Sequence, residues 1–151
     1  MRLRAVVQRV REARVKVEDQ LLAETGAGLV VLLGVENGDN QSDMQYIADK
    51  VACLRVFDDS QGKMNLSALD LDKEILVVSQ FTLAGDVRKG RRPSFSGAAD
   101  PAVAEVYYEQ VVQKLRELGL KVATGQFQAE MLVEIFNDGP VTLLLDSRRR
   151  F

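Results

Sequence analysis

Leu29-Val30-Val31-Leu32-Leu33 is an apolar run with no polar break, introduced by Gly26 and Gly28. A strand with one wet face alternates polar and apolar residues. An unbroken run of this length fits a strand covered on both faces. Upstream, Ala5-Val6-Val7-Gln8-Arg9-Val10 reads as one strand. Ala13, Val15 and Val17 alternate with Arg14 and Lys16 as a second, half-exposed one. Asp19-Gln20 offers a turn into Leu21-Leu22-Ala23.

Downstream, Met44, Ile47, Ala48 and Val51 follow the i, i+3, i+4, i+7 spacing of a helix with one buried stripe. Ser42 with Gln45 matches a capping box, and Cys53 is expected on the inner side of that helix. Lys73 to Phe81, with Ile75-Leu76-Val77-Val78 at its centre, is predicted as a strand. A Gly- and Arg-rich loop runs from Gly85 to Gly97. Asp100-Pro101 then provides a capping carboxylate and a first-turn proline for a second helix. Val103, Val106, Tyr107, Val111, Leu115 and Leu118 are its expected apolar face, and Gly119 its stop. Met131 to Phe136 and Val141 to Leu145 are predicted strands on either side of a Gly139-Pro140 turn. The order of strands, helix, strand, helix and strands predicts an α+β fold. Its sheet is mixed but mainly antiparallel and curls towards a barrel, with helices packed on it. Residues 1–147 are expected to form a single catalytic domain and residues 148–151 a short basic tail.

Composition narrows the chemistry. At 151 residues, 46% hydrophobic and 28% charged, the chain suits one globular unit with a real core. No apolar run reaches membrane-spanning length, and the basic N-terminus lacks the apolar core and cleavage site of a signal peptide, so no membrane is expected. A single cysteine fits a reducing, cytoplasmic setting. There is no histidine, so any chemistry proceeds without the commonest general base near neutral pH. Together with the lone cysteine, this removes the usual zinc ligands, and no metal or cofactor is expected.

Cations are clustered. Arg2, Arg4, Arg9, Arg11, Arg14 and Lys16 lie in the first sixteen residues, Arg88, Lys89, Arg91 and Arg92 in the long loop, and Arg148, Arg149 and Arg150 at the end. Any one cluster can be a solvated surface. Three of them in a weakly acidic protein favour a phosphate-bearing partner.

The hydroxyls of Ser79, Thr82 and Thr142 are the candidate donors or nucleophiles, but no activating base is near in sequence and no G-x-S-x-G elbow exists. Hydroxyls at strand ends commonly bond to backbone. A second route needs no side-chain base: main-chain N–H groups at the strand end form an oxyanion hole, and the substrate supplies the proton acceptor. Asp138 and Asp146 are single carboxylates near turns, where caps and solvated groups are common.

Ala5-Val6-Val7-Gln8-Arg9-Val10, Gly62-Lys63-Met64-Asn65-Leu66-Ser67, Ser79-Gln80-Phe81-Thr82-Leu83, Arg88-Lys89-Gly90-Arg91-Arg92-Pro93-Ser94-Phe95 and Asn137-Asp138-Gly139-Pro140-Val141-Thr142 occur in that order across nearly the whole chain. With these segments the sequence resembles D-aminoacyl-tRNA deacylases of the bacterial and eukaryotic type. The tail Arg148-Arg149-Arg150-Phe151 departs from the family pattern. The resemblance implies a homodimer that hydrolyses the ester between a D-amino acid and the terminal adenosine of tRNA and also accepts glycine. It implies that Gly139-Pro140 is a cis motif entering the partner subunit's pocket, where its carbonyl oxygens hold the α-amino group and exclude an L side chain. Ser79, Gln80, Phe81 and Thr82 would line the catalytic side. Phe81 either stacks on the terminal adenine or packs as a core residue at the strand end. Arg9 would brace the Gly-Pro turn or contact a phosphate, and Asn137 and Asp138 would support the turn. A non-catalytic RNA-binding module and a small-molecule esterase are the other classes these residues allow.

Overall fold

The computed structural model describes residues 3–38 and 40–151; Arg2 of the N-terminal basic cluster lies outside them. The strands are β1 (Leu3–Val17), β2 (Gln20–Thr25), β3 (Gly28–Val35), β4 (Phe57–Asp58), β5 (Met64–Leu66), β6 (Glu74–Ser79), β7 (Lys121–Thr124) and β8 (Leu132–Asp146). The helices are α1 (Gln41–Cys53), the single turn α2 (Ala68–Leu71) and α3 (Pro101–Glu117). A 3-10 turn spans Phe81–Ala84.

The main sheet has the order β2-β1-β3-β6-β7, and β8 pairs along β1. β1 runs antiparallel to β2, β3 and β8, while β3, β6 and β7 are mutually parallel. The Leu29–Leu33 run has the two covered faces its composition requires. Leu29, Val31 and Leu33 join Val7, Ile75 and Val77 beneath α1 and α3, whose Ile47, Val51, Val111 and Leu115 are fully buried. Val30 points the other way, into a second core with Leu76, Val78, Val10, Ala13 and Val15. β1 contributes Leu3, Ala5 and Val7 to the first core and Val10, Ala13 and Val15 to the second. The change of face falls at register shifts of β1 against β8 between Gln8 and Glu12. Such bulges bend a strand. The bent sheet curls until β2 lies against β6 and β7, and is nearly closed into a barrel.

Several local expectations are corrected. The two N-terminal strands are one, because β8 pairs with β1 on both sides of the bend. The last two are also one strand, and Gly139-Pro140 is an outward bulge within it rather than a hairpin turn. α1 is capped by Asn40, whose side chain accepts from the N–H groups of Ser42 and Asp43, while Asp43 accepts from the N–H of Asn40. Ser42 and Gln45 are therefore not the capping pair. Cys53, at the last turn of α1, is exposed. On α3, the buried residues are Ala104, Tyr108, Val111, Val112 and Leu115, and Val103 and Val106 face outward. Asp100 makes no side-chain cap bond. None of the described helices is long and apolar enough to cross a membrane.

Candidate active site

Parallel pairing brings the carboxyl ends of β3, β6 and β7 to one edge, with Leu33 beside Ser79 and Val77 beside Thr124. Ligand sites in open parallel sheets favour this edge, where strands hand over to loops. Here the chain leaves β6 through the Ser79–Thr82 segment. Gln80 N–H donates to Leu33 O at 2.7 Å, and this tethers the exit to β3. Gly34 permits that approach, since a Cβ there would stand 2.9 Å from Gln80 O and 2.9 Å from Leu83 Cβ. The N–H groups of Phe81 and Thr82 then fall in the first turn of the 3-10 helix, where a helix has no internal acceptors for its donors.

Ser79, Gln80 and Phe81 line a cavity of about 750 Å³. Its other walls include Phe95, Ala98 to Pro101 and Ala104, and residues 127–131 in the link from β7 to β8. Phe81 is 57% exposed, with its ring edge-on to Phe95 at a centroid distance of 5.3 Å. It is therefore not a core residue. Gln80 Nε2 donates to Thr82 Oγ1. The Thr82 side chain is thus already engaged by a neutral amide, and Thr82 itself does not line the cavity. The cavity walls formed by Phe95, Phe127 and Met131 are not evident from sequence. Their place depends on the parallel order of β3, β6 and β7, which no local pattern announces.

Gly139 and Pro140 are exposed, joined by a cis peptide, and stand out where Asn137 and Thr142 of β8 oppose Val10 and Gln8 of β1. Arg9, between those two β1 positions, underlies the bulge. Its Nε donates to Asp138 O at 3.1 Å and its Nη1 to Val56 O at 2.8 Å. Asp138 carboxylate oxygens lie 3.9 Å from Arg9 and 3.6 Å from Arg11. Gln8 Nε2 donates to Asn137 Oδ1 at 3.2 Å and steadies the other side. Gly139 has φ +125, and a Cβ there would meet Arg9 Nη2 at 3.1 Å. Thr142, opposite Gln8, is exposed and does not line the cavity. Within one chain the Gly-Pro bulge does not line the Ser79–Phe81 cavity either. Asp146 is also apart from the cavity. It is buried at the end of β8, accepting from Arg4 Nε and from the N–H of Arg148.

A concave, aromatic-rimmed cavity at the strand ends of an α+β sheet, with main-chain donors of a helix start beside it, is the arrangement of a ligand-binding or catalytic pocket. A sequence profile described as D-Tyr-tRNA(Tyr) deacylase matches residues 6–146. The chain is 58% identical over 149 residues to a D-aminoacyl-tRNA deacylase of Desulforamulus reducens, covering 99% of this chain and 100% of that protein. It is 54% identical over 149 residues to one of Thermosipho africanus, with the same coverage. Among solved structures it resembles the c-Myc DNA Unwinding Element Binding Protein, with TM-score 0.88, 42% identity, and coverage of 94% of this chain and 97% of that one. A probable eukaryotic D-amino acid tRNA deacylase shares the fold, with TM-score 0.82 at 18% identity, covering 97% and 100%. The chain belongs to the D-Tyr-tRNA(Tyr) deacylase family.

Proposed function

We propose that this protein hydrolyses the ester of D-aminoacyl-tRNA in the cytoplasm, releasing tRNA and the D-amino acid, with two chains building each pocket. The observation that carries this reading is the separation of two complementary parts. The Ser79–Phe81 cavity has main-chain donors at its edge, and the Gly139-Pro140 bulge is braced from below yet lines no part of that cavity in its own chain. A second copy supplies the missing half. β8 supports such a homodimer, because its only partner among the described strands is β1, and Leu132, Phe136 and Leu144 along it are exposed. A long open edge with exposed apolar residues is a surface for pairing with another chain.

In this site the Gly139 and Pro140 carbonyl oxygens accept from the substrate α-ammonium group. The α-hydrogen of a D-residue faces rigid main chain, whereas an L side chain would collide with it. Selection by clash requires rigidity, and Arg9, anchored to Asp138 O and Val56 O, supplies it from below. Glycine has no side chain to exclude and is accepted. On the opposite side, Phe81 stacks on the terminal adenine, a contact contributing about 1–3 kcal/mol. The N–H groups of Phe81 and Thr82 stabilise the oxyanion, and the ribose 2′-hydroxyl assists the attacking water. Asn137 and Asp138 hold the bulge in position. The catalytic unit spans residues 1–147.

The test is incubation of the purified protein with D-Tyr-tRNA and L-Tyr-tRNA in parallel. Faster loss of the D-ester is expected, and equal rates would sink the reading.

A further inference from the structure

Asp86 to Ser94 form a hairpin that the site above does not use. Its base is closed by Asp86 N–H to Ser94 O at 2.7 Å and Ser94 N–H to Asp86 O at 2.9 Å. Gly90 turns the tip at φ +67, a conformation that favours glycine. Arg88 folds back on Asp86, with Nε to Oδ1 at 2.9 Å and Nη2 to Oδ2 at 2.7 Å. That contact holds the Asp86 carboxyl down to about 2, so the pair stays ionised and mutually neutralised at neutral pH.

Lys89, Arg91 and Arg92 remain. All three are exposed and none has an ion pair among the described residues. Several other surface cations sit beside acids: Arg11 with Asp138, Arg14 and Lys16 with Glu134, Lys121 with Glu74. The hairpin instead displays one sign of charge. Its base leads directly into Phe95, whose ring contacts Phe81 in the cavity wall.

Backbone reach places these charges. Arg92 is three residues from Phe95, at most about 11 Å of extended chain, and Arg91 at most about 14 Å. A stacked nucleic-acid strand advances about 3.4 Å per nucleotide. The phosphates of roughly the first three or four nucleotides behind a base seated on Phe81 are therefore within reach of the hairpin.

We infer that the 86–94 hairpin is a phosphate clamp, in which Lys89, Arg91 and Arg92 bind the backbone of the RNA strand whose terminal ester occupies the Ser79–Phe81 cavity. This rests on the proposed esterase function. It assigns the hairpin the affinity for the RNA beyond the terminal nucleotide.

The experiment compares the full-length protein with its Lys89→Ala/Arg91→Ala/Arg92→Ala variant on D-Tyr-tRNA and on the D-tyrosyl ester of free adenosine, across salt concentrations. The ratio of kcat/KM for the tRNA ester to that for the adenosine ester is expected to fall about 10- to 100-fold, carried by KM. The log–log salt slope for the tRNA ester should become shallower by about 2, as expected for three lost contacts to a single strand. A Lys89→Arg/Arg91→Lys/Arg92→Lys variant should keep the ratio within about threefold, since a phosphate clamp of this kind is read mainly as charge. An unchanged ratio in the alanine variant, or equal losses on both esters, overturns the clamp while leaving the esterase reading intact. Cleavage of neither ester by the unmodified protein overturns both.

Discussion

Arg9 Nε donates to the main-chain oxygen of Asp138 at 3.1 Å, one residue before the Gly139-Pro140 bulge. The same guanidinium donates through Nη1 to Val56 O at 2.8 Å, so one planar group ties β8 to the segment entering β4. Both acceptors are carbonyls, and each needs its own N–H.

Arg9→Ala is accordingly expected to leave two carbonyl oxygens without this partner and to loosen the bulge. kcat/KM for a D-aminoacyl-tRNA should fall about 10- to 100-fold, equivalent to about 1–3 kcal/mol for lost charged hydrogen bonds. Discrimination against the L-ester should fall with it. Arg9→Lys should recover little, because an ammonium is a point donor and cannot reproduce the fork. Steady-state kinetics on both stereoisomers checks this.

The Thr82 hydroxyl already accepts from Gln80 Nε2. Loss of a side-chain base or nucleophile typically costs on the order of 10²–10⁴ in rate. Thr82→Ala should instead cost less than about tenfold, because the oxyanion donors are main-chain N–H groups that alanine retains. A terminal 2′-deoxyadenosine substrate should show the larger loss, on the order of 10² or more. Single-turnover rates separate the two effects, and abolished turnover in a folded Thr82→Ala that still binds substrate would overturn the backbone assignment.

Tyr108 on α3 donates its hydroxyl to Val77 O at 2.9 Å, two residues before Ser79. Burial pushes the phenol up to about 12 from an ordinary 10. The fold thus holds the protonated form. Its contribution is intact below pH 10 and is lost progressively between about pH 10 and 12, where the unfolded chain ionises first. Urea unfolding should show stability declining over that window by a few kcal/mol at most, because each tenfold change in an ionisation constant corresponds to about 1.4 kcal/mol. Tyr108→Phe should remove this decline and cost about 1 kcal/mol at pH 8 for the lost hydrogen bond, since Val77 O still accepts from the N–H of Gly125 at 3.3 Å.

The C-terminal arginines have a structural partner as well. Arg148 Nε lies 3.1 Å from Oδ1 of Asp43, which is buried in the first turn of α1, and the Arg149 guanidinium covers the Tyr46 ring at 5.3 Å. Removing one partner of a buried pair can cost about 3–5 kcal/mol. Arg148 is 43% exposed, so solvent screens much of that, and Asp43 keeps its bond from Asn40 N–H. Arg148→Ala is expected to cost about 1–2 kcal/mol in urea unfolding, with kcat/KM little changed.

Much of the fold could be read locally. The Leu29–Leu33 run implied two covered faces, and two cores confirm it. The alternation at Ala13, Val15 and Val17 marked a strand, and Gly119 ended α3 at φ +100. Continuity failed where it depends on a partner strand. A Gly-Pro pair looks like a turn from sequence, but pairing of β8 with β1 on both sides keeps the strand running through it. The α3 stripe slipped because Ala104 and Tyr108 share a face with Val111 and Leu115, while Val103 and Val106, both larger than Ala104, face outward. Size alone does not decide which side of a helix meets the sheet. At the site, the Ser79–Thr82 segment and Arg9 were assigned roles through the family resemblance, and the fold puts Ser79 to Phe81 on the cavity and Arg9 beneath the bulge. The walls from Phe95 and residues 127–131 were not legible, because parallel order is a long-range property.

The most direct measurement of the central claim is the D-to-L rate ratio on Tyr-tRNA for the unmodified protein and for Gly139→Ala, whose added methyl would press on Arg9 Nη2 at a backbone angle that disfavours it. The unmodified protein is expected to cleave the D-ester at least about 100-fold faster, a difference of about 2.7 kcal/mol. In a folded, dimeric Gly139→Ala the ratio should fall by an order of magnitude or more. A ratio near one in the unmodified protein, or a full ratio retained in that variant, would contradict selection by the Gly139-Pro140 main chain.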